Sequence, residues 1–218
     1  MVQGFSPRAF VFFGELAASN TREFWLAHKA EFESVVRDPM ESLLAALPEP
    51  YDGFRTFRMN RDVRFSKDKS PYKTAHAAAL DDRGAMLYLQ VSADGMLAAG
   101  GAYLLAPDQL ERYRASVDAP ASGIELERIL DELGRSELEV GPGGADPLVS
   151  APRGYDKEHP RIELLRQKGV ITSIRLSPSE CADGETLLAR LIEFFDAAQP
   201  LTSWLRDHVG PSTAVRSR

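Results

Sequence analysis

Residues 54–76, FRTFRMNRDVRFSKDKSPYKTAH, constrain this chain more than any other stretch. Arg55, Arg58, Arg61 and Arg64 recur at every third position, and Lys67, Lys69 and Lys73 follow. With only Asp62 and Asp68 to offset them, the stretch carries a net charge of about +5 in a protein whose total is −6. A spacing of three suggests a helix, but Phe54, Thr56, Phe57, Val63 and Phe65 favour strands, Asn60 and Asp62 favour turns, and Pro71 closes the stretch. The expected local structure is a strand at 54–59, a turn at Met59-Asn60, an extended piece at 62–66 and a loop through Ser70-Pro71. Like charges held this close repel, and a buried guanidinium needs a partner, so such an island calls for a site or a salt-bridge network.

The flanking sequence sets the fold class. Ser6-Pro7 reads as a helix start, and Phe10, Phe13 and Leu16 form an apolar stripe behind it. Asn20, with Glu23 three residues on, reads as a capping box for a second helix that stops at Asp38-Pro39. A third helix at about 39–47 ends at Pro48 and Pro50. After the island the period changes to two. Residues 74–80, 85–91 and 95–105 read as strands joined by turn-rich Asp81-Asp82-Arg83-Gly84 and Ala93-Asp94-Gly95. Gly100-Gly101 inside a strand suggests a bulge, or close approach of a ligand or another chain. Helices at 107–117 and up to Leu133, an irregular Gly- and Pro-rich stretch at 141–160, a helix at 160–168, a strand at 170–176 and an amphipathic helix through Leu187–Phe195 complete the reading. Helices, then strands, then helices indicate an α+β fold: one domain over 1–210 with an antiparallel β-meander packed against N- and C-terminal helices, and a disordered tail at 211–218.

The motif Arg58-x-x-Arg61-Asp62-x-Arg64-Phe65, followed by Asp68-Lys69-Ser70-Pro71-Tyr72-Lys73-Thr74, resembles the signature of the DUF2461 family of conserved hypothetical bacterial proteins. Phe10-x-x-Phe13-x-x-Leu16, Asn20-x-Arg22-x-Phe24-Trp25, Gly100-Gly101 with Tyr103, and Pro152-x-Gly154-Tyr155-x-x-x-His159-Pro160 are similar to the family's other landmarks. The resemblance covers essentially the whole chain and implies no reaction, ligand or cofactor.

Composition excludes several classes. No apolar run approaches the ~18 residues of a membrane span. The N-terminus lacks the pattern of a secretory signal, and the single Cys181 cannot form an internal disulfide; both point to the cytoplasm. One Cys and four scattered His give no metal-ligand spacing, and Gly141-Pro142-Gly143-Gly144 lacks the Lys and Ser/Thr of a phosphate loop. No cofactor is expected. Three readings of the island remain. In the first, Arg58, Arg61, Arg64, Lys69, Tyr72 and Lys73 form a pocket for a small phosphorylated or carboxylated ligand. Asp62 orients two arginines, and the loop carrying Arg153, Tyr155 and His159 acts as a lid. In the second, the stretch binds nucleic acid, with Phe57, Phe65 and Tyr72 as stacking surfaces. In the third, the arginines pair internally and the role is structural or partner-binding. The acidic remainder of the chain ranks the pocket above nucleic acid. His159, Asp62 and Tyr72 have the chemistry for catalysis, although flanking arginines would make Asp62 a weak base. His28 is expected in the core and His76 on an exposed strand face.

Overall fold

In the computed structural model the described residues are 1–213 without Phe65 and Glu137, and without the side chain of Asp82. Phe65, one of the expected stacking surfaces, and residues 214–218 of the expected disordered tail lie outside them. The fold is α+β, with a six-stranded antiparallel sheet in meander-like order. In chain order the elements are α1 (Pro7–Ala18), α2 (Arg22–Phe32), a π-helical turn (Glu33–Arg37), α3 (Asp38–Ala46), β1 (Arg55–Thr56), β2 (Ala75–Asp82), β3 (Ala85–Ser92) and β4 (Gly95–Ala102). There follow α4 (Pro107–Asp118), α5 (Pro120–Gly134), β5 (Glu139–Gly141), α6 (Ile162–Leu165), β6 (Val170–Leu176) and α7 (Gly184–His208). The strand order is β1-β2-β3-β4-β6-β5. By its contacts the chain divides into two compact units. One holds Met1–Leu80, Tyr88–Ala98 and Arg175–Phe194; the other holds Asp81–Leu87, Ala99–Ile174 and Phe195–Arg218.

The first unit is built on aromatic packing. Phe12 of α1 lies 5.5 Å from Phe13 and 5.7 Å from Phe32 of α2, ring centre to ring centre. Phe5, Leu16, Val36, Met40, Leu43, Leu89 and Leu191 are buried with them. The helix expected to stop at Asp38-Pro39 continues instead. In the π-helical turn the Asp38 N–H reaches back five residues to the Glu33 carbonyl, and the wider turn admits a proline that can donate no backbone hydrogen bond. The expected strand at 54–59 forms ladder pairs only at Arg55 and Thr56, opposite Ala79 and Ala78 of β2. Past Thr56 the Phe57 N–H still donates to the Ala77 carbonyl at 2.8 Å. His76 is the clearest correction. Its place in the alternation of β2 turns it toward Phe32, 5.4 Å away edge-on, and leaves it 4% exposed rather than on the open face.

The second unit has its own core, in which Tyr113, Leu126, Ile129, Leu165, Leu201, Trp204 and Leu205 pack together. The Tyr113 and Trp204 rings meet edge-on at 6.1 Å. The close approach expected at Gly100-Gly101 is made by the protein's own chain. Gly101 has φ +132°, and a Cβ there would run into the Val170 carbonyl of β6. The helix expected at 160–168 is a single turn, and β5, an unexpected strand that ends where the irregular stretch begins, pairs Glu139, Val140 and Gly141 with Ser173, Thr172 and Ile171. Beyond Gly210 the chain stays attached to α4: Ser212 Oγ and the Thr213 N–H donate to the Asp108 carboxylate at 2.7 and 2.8 Å.

Candidate functional site

The basic stretch is a loop closed at its base. Asn60 bridges Tyr72, the Arg61 N–H donates to the Pro71 carbonyl and the Lys73 N–H to the Met59 carbonyl, both at 2.8 Å. The base is anchored to the α1–α2 corner. Thr21, not Asn20, caps α2, accepting the Phe24 N–H at 3.1 Å. Asn20 is thereby free for another task. Its amide nitrogen donates to the Tyr72 carbonyl and its amide oxygen accepts the Tyr72 N–H. Trp25 stacks on the Tyr72 ring at 4.6 Å, and Tyr72 is buried. Its ring serves as an anchor for the loop.

Within the loop, part of the expected anion-binding set holds the loop together. Arg64 grips Asp62 with two nitrogens, Nε to Oδ1 at 3.0 Å and Nη2 to Oδ2 at 2.7 Å. Both side chains are exposed, so Asp62 is not a buried link between Arg58 and Arg64. The Arg64 hydrogen bonds bring the Asp62 carboxyl down to about 2, with a smaller contribution from the Arg58 charge. Arg61 pairs with Asp68, whose other oxygen accepts the Ser70 N–H at 2.9 Å. Hydrogen bonds from Ser70, then from Arg61, hold the Asp68 carboxyl far below the usual range. Lys69 donates to the Val63 carbonyl at 3.0 Å. Among the described residues, Arg55, Arg58, Lys67 and Lys73 have no carboxylate partner.

Lys73 and Arg61 line an open cleft of about 510 Å³ in the first unit. Its floor comes from strand alternation: Ala75 and Ala77 of β2 and Tyr88 and Gln90 of β3 share the face opposite His76, Leu87 and Leu89. Phe57, 44% exposed, forms a wall, and the Lys73 ammonium lies 5.2 Å from its ring centre. Partial burial, then the charge of Arg58, pushes the Lys73 pKa down. Tyr88 donates to Gln90 Oε1 at 2.8 Å. Sequence reasoning did not single out Tyr88 and Gln90, although their alternation with Leu87, Leu89 and Val91 was the signal that placed them together on one face.

Arg153, Tyr155 and His159 belong to the second unit. Arg153 is exposed on the loop. Tyr155 packs on the core, and burial, then the Asp118 charge, pushes its phenol up. His159 Nε2 lies 3.1 Å from Asp118 Oδ1, while its Nδ1 accepts the Arg161 N–H at 3.0 Å. Through these two contacts the ring holds the turn that leads into α6. Arg161 donates to the Val117 and Asp118 carbonyls at 2.6 and 2.9 Å, joining this loop to the end of α4.

A family model described as "Conserved hypothetical protein (DUF2461)" matches residues 8–204, which include the loop, its anchor and the cleft. The chain belongs to the DUF2461 family. A search of curated proteins found no match. In this DUF2461 protein the described residues contain no group of three or more His, Cys, Asp or Glu side chains placed to hold a metal, and no helix long and apolar enough to cross a membrane. The described lining of the cleft combines two cations, two aromatic rings and an amide, with no carboxylate, imidazole or thiol. That set can bind and orient an anion.

Proposed function

We propose that this DUF2461 protein binds a small phosphate- or carboxylate-bearing molecule in the cleft between Phe57, Lys73 and the open face of β2 and β3. The observation that carries this reading is Lys73. Its ammonium is partly desolvated and, among the described residues, has no carboxylate partner, yet it lines a cleft large enough for a ligand. Desolvating a cation is costly, and a bound anion offsets that cost. Arg61 adds a planar donor fork on the same lining, although Asp68 occupies its Nη1. The loop carries Arg61 onto this lining, and Arg58 adds to the local positive potential.

A second reading rests on Phe57. An exposed aromatic among exposed basic residues also suits a base of a single-stranded nucleic acid. Measuring thermal stability at constant ionic strength in sulfate, phosphate, citrate and pyrophosphate separates site binding from screening. The anion reading expects saturable stabilisation by at least one of them, abolished in Lys73→Gln. No stabilisation beyond that of chloride at the same ionic strength, or the same stabilisation in both proteins, would remove it.

A further inference from the structure

Beyond its cations, the cleft has features that a simple inorganic anion would leave unused. Its volume of about 510 Å³ lies within the range of small-molecule sites, whereas a lone phosphate would engage only the two cations of the lining. On the floor Ala75 and Ala77 present only methyl groups beside the Tyr88 and Gln90 side chains, so the backbone of β2 lies close beneath any occupant. The Phe57 and Tyr88 rings stand on the same lining. The Gln90 amide oxygen is held by Tyr88, which orients the side chain, and among the described residues its amide nitrogen has no hydrogen-bond partner. Such an amide can donate to an acceptor on the edge of a heterocycle.

From this combination we infer that the cleft takes a flat heteroaromatic ring carrying a phosphate, the chemistry of a nucleoside monophosphate. The inference rests on the anion reading above and names its ligand class. The phosphate sits at Lys73 and Arg61. The ring lies over Ala75 and Ala77, against Phe57 and Tyr88, with the Gln90 amide at its edge. Lys73 over Phe57 ties the two halves together, since the cation that meets the phosphate also fixes one side of the aromatic wall. The lining therefore offers both kinds of group that a nucleotide needs, cations for its phosphate and rings, methyl groups and an amide for its base.

Calorimetric titration of the full chain with adenosine 5′-monophosphate and with ribose 5-phosphate tests this. The expected result is binding of both, with the nucleotide about tenfold tighter or better. Phe57→Leu, which keeps an apolar side chain and removes the ring, should erase that advantage and leave ribose 5-phosphate affinity unchanged. Phe57→Tyr should keep the advantage, and Lys73→Gln should weaken both ligands. A thermal melt of each variant confirms that it is folded. Equal affinities in the unaltered protein would overturn the ring inference and leave the anion reading standing. Failure of both ligands to bind at millimolar concentration would overturn both. A nucleotide advantage that survives Phe57→Leu would put the ring elsewhere and also overturn the inference.

Discussion

Asn20 holds both backbone polar groups of Tyr72, donating to its carbonyl at 3.0 Å and accepting its N–H at 3.1 Å across 52 residues of sequence. The side chain acts as one rung of a ladder, pairing with the backbone where a neighbouring strand would otherwise do so. It fixes the base of the basic loop to the corner between α1 and α2. The loop can therefore concentrate charge without depending on long secondary structure of its own.

Asn20→Ala removes this rung and leaves partly buried backbone groups unpaired. The expected loss is about 1–3 kcal/mol of stability, read from the midpoint of urea unfolding. An unchanged midpoint would mean that the stacking of Trp25 on Tyr72 suffices to anchor the loop.

Asp62→Asn bears on the loop rather than the core. Because Asp62 and Arg64 are both exposed, their pair is screened by solvent and the melting temperature should stay within error of the unaltered protein. Losing one negative charge beside the cleft should also make anion binding slightly tighter. A clear fall in melting temperature would restore the buried network expected from sequence.

His76 gives the first unit a pH dependence. Burial, then the charges of Lys73 and Arg37, bring its pKa down to about 4, and the Phe32 ring packs on it edge-on. Among the described residues neither ring nitrogen has a hydrogen-bond partner, so the folded state prefers the neutral ring. The unfolded chain takes up the proton near the ordinary value of 6.5. Stability from this group is thus full above pH 6.5, falls as pH drops through the window between 6.5 and about 4, and is reduced by about 3 kcal/mol below it. Urea unfolding across that window should show the slope in the unaltered protein and a flatter one in His76→Leu. Parallel slopes in both would assign the dependence to other groups.

The α+β class and the meander were legible because the change from helical to alternating periodicity is a local signal. The role of Asn20 was not legible. Asn20 and Thr21 are both good caps, and only the three-dimensional fold shows that Thr21 takes the cap while Asn20 reaches Tyr72. The continuity of the helix through Pro39 was hidden for a similar reason, since proline usually ends a helix and the π-helical turn that admits it has no sequence signature. Of the expected site, the charge island was visible in full. What sequence could not apportion was which cations the loop pairs with its own carboxylates, as Arg64 and Arg61 with Asp62 and Asp68, and which have no carboxylate partner among the described residues, as Lys73. His76 was misplaced because its neighbours Ala75 and Ala77 are small enough to suit either face of a strand.

The strand-binding alternative is separated by salt. Each phosphate of a single strand neutralised contributes a slope of about −0.7 in log affinity against log salt. A cleft using Lys73 and Arg61 should therefore give about −1 to −2 with a labelled oligonucleotide, while a stripe engaging all seven basic residues should give a slope near −5. A steep slope with micromolar or tighter binding near 150 mM salt, roughly the physiological value, would move nucleic acid to first place.

On the proposed reading Lys73 is a partly desolvated cation that pairs with a bound anion, and its own titration tests that most directly. Following the Lys73 side-chain resonance by NMR across alkaline pH should show a pKa below the ordinary lysine value of 10.5 in the free protein, because burial and Arg58 both oppose the charge. Saturating ribose 5-phosphate should move that pKa upward, since a neighbouring phosphate favours the ammonium. An ordinary pKa in the free protein that the phosphate ester leaves unmoved would contradict the account.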